Sequence, residues 1–172
     1  MPIMVVLSGL DGFSMARPSS SQVANVYPGR YTIRTLGGPP GAYVESIRLG
    51  DAEVYGRAVD IFDGSMPIRI AYRRGGPVLR GTVEKGEGAT VQIVDADESA
   101  AEDSRAVTAG RDGSFQVDNL RPGDYYVVAV QGAEAGLVRF LSRRDLMGKA
   151  EKVRLEKGAT VVVTLKVRAV FE

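Results

Sequence analysis

Val117-Asp118-Asn119-Leu120-Arg121-Pro122-Gly123-Asp124-Tyr125 repeats an earlier stretch, Val23-Ala24-Asn25-Val26-Tyr27-Pro28-Gly29-Arg30-Tyr31, at a shift of 94 residues from Val23 to Val117. Both asparagines of the chain lie in these two stretches. At the same shift Ile61-Phe62-Asp63-Gly64 lies over Leu155-Glu156-Lys157-Gly158, in each case a strand end followed by a turn. A match at one fixed spacing marks a duplicated structural unit. Gly and Pro interrupt two apolar runs at Arg73-Arg74-Gly75-Gly76-Pro77, which sets the expected boundary there, with domains at 1–76 and 77–172.

Within the repeated stretch, proline fixes φ and glycine takes a backbone conformation closed to other residues, so a sharp reversal is expected before a central strand. Tyr31 and Tyr125 open that strand. Parity with Ile33 in one copy, and with Val127 and Ala129 in the other, puts both tyrosines on the inward face. A buried phenol needs a partner for its hydroxyl, and a backbone carbonyl near the turn is the expected acceptor, as in the tyrosine corner of Greek-key sandwiches. Asn25, Pro28, Gly29, Tyr31, Asn119, Pro122, Gly123 and Tyr125 form the expected turn and corner set.

Outward from the motif, period-two alternation identifies the strands. In Thr160-Val161-Val162-Val163-Thr164-Leu165-Lys166-Val167-Arg168 the odd positions are apolar and Thr164, Lys166 and Arg168 lie opposite, which reads as a half-buried antiparallel strand. Shorter runs at 3–7, 30–36, 43–49, 59–62 and 67–72 fill the first unit. Runs at 79–83, 90–94, 105–109, 114–117, 125–130 and 152–155 precede that last strand in the second. The expectation is all-β: two tandem small antiparallel β-sandwiches of Greek-key, prealbumin-like type. Leu49-Gly50-Asp51-Ala52 reads as a tight hairpin turn with glycine at positive φ. A short helix is expected near 137–147, where apolar residues fall at partly helical spacing.

The 172 residues include no histidine, cysteine or tryptophan, which removes Ser-His-Asp and Cys-His triads, thiolate or imidazole zinc sites and disulfides. A formal net charge of +1 gives no bulk attraction to nucleic acid, so no such partner is expected. The apolar runs are too short to span a bilayer. Met1 to Leu7 lacks a basic n-region and reads as a strand rather than as a signal peptide.

Gly113 to Ala129, with its Asp-Gly-x-Phe start and Leu-x-Pro-Gly-x-Tyr core, resembles the carboxypeptidase regulatory-like domains. These are transthyretin-like β-sandwiches similar to the Cna B-type and starch-binding-like folds. The likeness covers most of 77–172, and Pro39 to Gly50 looks like the preceding module of tandem bacterial surface proteins. In the first copy Asp11-Gly12-Phe13 is only a loose counterpart of the Asp-Gly-x-Phe strand, so that module reads as shortened at its start. The resemblance implies a non-catalytic accessory or interaction module of an exported protein, periplasmic, cell-surface or secreted, without cofactors. Its implied partners are other domains of a larger parent or a separate protein. A Cna-type isopeptide needs Asn or Asp near the end of the last strand, and Val161 to Phe171 has neither.

The starch-binding-like relatives suggest a second reading, carbohydrate binding, with Tyr43, Tyr55 and Tyr72 as candidate stacking residues. Asp95, Asp97 and Asp103 offer oxygen ligands of the kind calcium accepts, but the loop departs from the EF-hand pattern at Ala100 and Ala106 and reads as a solvated acidic loop. Arg139, Arg143, Arg144, Lys149 and Lys152 read as a solvated basic face. Tyr126, Val128 and Val130 form an apolar outward stripe that needs a cover, for which Leu137, Phe140 and Leu141 are the expected source.

Overall fold

The computed structural model describes residues 4–9, 15–16, 26–62, 66–97, 104–132, 135, 146 and 148–169. The chain is all-β and divides into two compact units, Met1–Arg74 and Gly75–Glu172. The first unit holds β1 (Met4–Gly9), β2 (Met15–Ala16), β3 (Gly29–Leu36), β4 (Ala42–Leu49), β5 (Ala52–Glu53), β6 (Ala58–Ile61) and β7 (Ile68–Arg74). The second holds β8 (Val78–Glu84), β9 (Thr90–Asp95), β10 (Ser104–Thr108), β11 (Ser114–Val117), β12 (Gly123–Val130), β13 (Glu151–Leu155) and β14 (Thr160–Lys166).

In the first unit a sheet ordered β2-β1-β3-β6 faces one ordered β5-β4-β7. Leu7, Tyr31 and Ile33 from one sheet meet Ile47 and Leu49 from the other, with Val54 beside them. In the second unit the sheets are β10-β9-β12-β13 and β11-β8-β14. Their inner faces bury Val91, Ile93, Tyr125, Val127 and Val153 against Leu79, Val83, Phe115 and Leu165. Alternation produces this core because strand side chains point to opposite faces in turn.

The β3–β6 pair and the β12–β13 pair share one register at the 94-residue shift. Tyr31 pairs with Val59 of β6 on one side and Gly9 of β1 on the other. Tyr125 pairs with Val153 of β13 and Asp95 of β9. Between these, Arg30 lies opposite Asp60 and, with the charges exchanged, Asp124 opposite Arg154.

The other sheet is built differently in the two units. In the first, β4 runs antiparallel to β7. In the second, β8 runs parallel to β14 from Val78↔Thr160 to Glu84↔Lys166. This corrects the antiparallel reading of Thr160 to Arg168. Alternation reports which face a residue takes and is the same for both strand directions, so it is silent on the partner's orientation. Past β14, Val167 bridges Ala129 of β12 and the Arg168 amide donates to the Ala129 carbonyl at 2.9 Å, tying the exit of the chain to the opposite sheet.

The outward stripe of β12 is covered. Val94, Val128 and Val130 cluster with Leu146, which is fully buried, and with Tyr126, Ala135 and Ala150 at the margin. Leu137, Phe140 and Leu141, and the expected helix apart from Leu146, lie outside the described residues.

One residue that the strand pattern did not single out fixes the spacing of the parallel pair. A Cβ added to Gly81 would stand 2.1 Å from the Val163 carbonyl oxygen, so the two backbones approach as only glycine permits. Gly81→Ala is expected to lower stability by about 1–3 kcal/mol through this overlap, read as a shift in the urea midpoint of the second unit.

Candidate functional site

The repeated motif builds the same corner twice. The Tyr31 hydroxyl donates to the Tyr27 carbonyl at 2.8 Å, and the Tyr125 hydroxyl donates to the Arg121 carbonyl at 2.7 Å, each acceptor four residues upstream. Both rings are buried, at 4% and 2% exposure, so the hydroxyl is the polar end of an otherwise apolar core side chain. Each ring lies over the glycine two residues before it. An added Cβ would stand 3.4 Å from Tyr31 at Gly29 and 3.9 Å from Tyr125 at Gly123.

Neither glycine is left-handed, which corrects the expected role of the Pro-Gly step. Gly29 and Gly123 are the first residues of β3 and β12, paired with Ile61 and Leu155. The left-handed residue of the second corner is Asn119, at φ 57°. Asparagine tolerates this region because its short amide offers local hydrogen bonds. Pro28 and Pro122 sit between, leading into the strands. Asn25 lies outside the described residues.

Around the second corner, polar side chains hold the turns. Arg105 donates to the Asp118 and Asn119 carbonyls at 3.1 and 3.3 Å. The Asp118 carboxylate accepts from the Gln116 amide at 2.9 Å. Asp124 is the centre of a small ion-pair group, with Lys152 at 3.4 Å and Arg154 at 3.7 Å. The turn before β11 is closed by Asp112, whose carboxylate accepts from the Ser114 hydroxyl at 2.7 Å and from its amide at 3.0 Å. These bonds hold the Asp112 carboxyl below its ordinary range, the hydroxyl contributing most.

The remaining candidates are dispersed. Tyr43 is buried at 5% exposure, and Tyr55 and Tyr72 are half-buried. Tyr43 lies opposite Arg73 and Tyr72 opposite Val44, so Tyr43 and Tyr72 take opposite faces of their sheet and the three rings do not line one plane. The Tyr72 ring packs against Gly38, where a Cβ would stand 2.8 Å away. Asp95 is buried and accepts the Asp97 amide at 2.8 Å, while Asp103 lies outside the described residues. Among the described residues no three acidic, His or Cys side chains are placed to share a metal ion. A shallow groove of about 500 Å³ crosses the outer face of the second unit, lined by Arg80, Thr82, Thr108, Ser114, Gln116 and Val162 among others.

No protein-family model matches the sequence, and no curated protein matches it significantly. Among solved structures the chain is similar to a candidate carbohydrate-binding protein of Pseudomonas aeruginosa, at 15% identity and TM-score 0.35 over 54% of this chain and 88% of that one. It is similar to a streptococcal ancillary pilin, at 17% identity and TM-score 0.34 over 96% of this chain. The pilus 2b backbone protein of group B streptococcus shows 13% identity and TM-score 0.34, covering 96% of this chain and 76% of that one. The chain spans 56% of the ancillary pilin and 31% of a further match, the Bacillus anthracis TIE protein.

Two outcomes are expected here. Tyr31→Phe and Tyr125→Phe should each cost about 1 kcal/mol in urea unfolding, each in its own unit, because the hydroxyl's bond to a backbone carbonyl is lost with little change of shape. Asp112→Asn should remove a contribution that wild type holds above the ordinary carboxylate range. A lowered folded-state pKa means that this contribution is lost as pH falls through it. The midpoints of the two proteins should therefore converge in acid, read by unfolding at successive pH values.

Proposed function

We propose that the chain is a non-catalytic structural module of an exported bacterial protein, a paired β-sandwich spacer that resists tension applied along the chain. The observation that carries this reading is the parallel pairing of β8 with β14, the first and last strands of the second unit. Stretching that unit by its ends draws β8 one way and β14 the other. Parallel neighbours then slide past each other, and the hydrogen bonds between them must fail together rather than in turn. The tie from Val167 and Arg168 to Ala129 anchors the exit of the loaded strand.

Two further features support an accessory role. The repeated corner places its one distinctive polar side chain, the tyrosine, in a bond to its own backbone in both units. The resemblance of Gly113 to Ala129 to carboxypeptidase regulatory-like domains points the same way, toward a module attached to other domains or docking with a protein partner.

The test is single-molecule stretching with handles at the two ends of the chain. The length step matching Gly75–Glu172 is expected at higher force than the step matching Met1–Arg74, whose β1 and β7 lie in different sheets. Moving the second handle to a cysteine at the exposed Gln131 should abolish the high-force step, because β14 is then no longer loaded against β8. A second unit that opens at the lower force with end-to-end handles would overturn the reading.

A further inference from the structure

The same strand has a second edge. β14 is the outermost strand of the β11-β8-β14 sheet, and among the described residues no strand pairs with its far side. The Val78 amide donates to the Ala159 carbonyl at 2.9 Å, and with Val78 opposite Thr160 this fixes which backbone groups face β8. In a parallel ladder they alternate, so Val161, Val163 and Leu165 bond to β8. The amides and carbonyls of Thr160, Val162 and Thr164 point to the open side. Val162 is 64% exposed.

Edge strands are ordinarily guarded by charge or by brevity. β7, the closing strand of the first unit and also an edge, carries Arg69, Arg73 and Arg74. β6 carries Asp60, β10 carries Arg105, and β13 carries Glu151, Lys152 and Arg154, while β11 has only four residues. β14 is uncharged from Thr160 through Leu165. Its first five residues, Thr160-Val161-Val162-Val163-Thr164, read the same in both directions.

We infer that the β14 edge is a self-association surface, taking the β14 of a second copy antiparallel about a two-fold axis at Val162. A two-fold axis places each residue opposite the one equally far along the other copy, and the Thr160 to Thr164 palindrome makes every facing pair alike, valine on valine and threonine on threonine. Val162 meets Val162, and Thr160 meets Thr164 twice, in pairs whose outward backbone groups can exchange both hydrogen bonds. Lys166, paired with Glu84 of its own chain at 3.8 Å, falls opposite Gly158 of the second copy, so no side chain stands directly against its charge. The result is an isologous contact joining two three-stranded sheets into one of six. One strand pair buries less than the ~1,200 Å² of a standard stable interface, so the dimer is weak and concentration-dependent.

Self-association at this edge is independent of resistance to tension, since stretching is measured on single molecules. Sedimentation velocity of the full chain over a concentration series tests it. Wild type should shift from monomer to dimer. Val162→Lys and Val162→Glu, at an exposed position, should each raise the dissociation constant about tenfold or more by setting like charges face to face. An equimolar mixture of the two should dimerise again. Wild type that stays monomeric throughout the series would overturn the inference, as would a Lys variant that dimerises like wild type or a mixture that stays monomeric.

Discussion

A phenol held at the mouth of a central strand sets the geometry of each unit. Once the Tyr31 hydroxyl is bonded to the carbonyl of Tyr27, the ring must point inward, and the period of two then assigns every residue of β3 to a face. Tyr125 does the same for β12 through Arg121. A slip of one residue would expose a ring and bury Arg30 or Asp124, so the hydroxyl bond and the hydrophobic pattern enforce one register. In both units the tyrosine faces a valine on one side, Val59 or Val153, while the outward pair keeps only its opposite charges, Arg30 with Asp60 in one unit and Asp124 with Arg154 in the other.

The partner sheet is under no such constraint, and there the units part. In the first, β4 follows β3 directly and supplies the antiparallel partner of β7. In the second, the corresponding stretch after β12 leads to Leu146, which covers the outer face of the sheet. The partner of the closing strand comes instead from the start of the unit, as β8. Parallel neighbours need a crossover connection, and β9 to β13, most of them in the opposite sheet, supply it.

How much of this was legible in the sequence follows from what alternation and turn chemistry encode. The runs at 30–36 and 114–117 carry period-two patterns, and β3 and β11 fall on them. The run at 125–130 is apolar throughout because both faces of β12 are covered, and the run at 43–49 is interrupted by a bulge between Val44 and Ser46, yet β12 and β4 fall on them too. The pairs Met15–Ala16 and Ala52–Glu53 are too short to have a period. The direction of β14 was not legible, because parallel and antiparallel strands alternate alike. The left-handed residue at the second corner was sought in the Pro-Gly step and lies at Asn119, since glycine permits positive φ without requiring it, and a strand beginning at Gly123 excludes it. Gly50, with positive φ at the first turn position between Leu49 and Ala52, is the contrasting case in which the hairpin does require it. The signal for Gly81 was present as a lone glycine inside a strand pattern, but only the coordinates show that Val163 is the backbone it admits.

β14 concentrates the consequences. Its inward residues Val161, Val163 and Leu165 belong to the core, and their backbone groups are spent on β8, so this side of the strand is fully committed. The outward residues are left with a backbone edge and two threonines around one valine. A strand in that position cannot be both strongly apolar and wholly unguarded without a tendency to pair. Threonine at two of the three outward positions moderates that tendency while keeping β propensity high. Pairing on the far side would also place β14 between two neighbours, so that a load along it is shared by two ladders. The features that let β14 resist sliding and those that let it recruit a second copy therefore come from the same few residues, read from opposite sides of the strand.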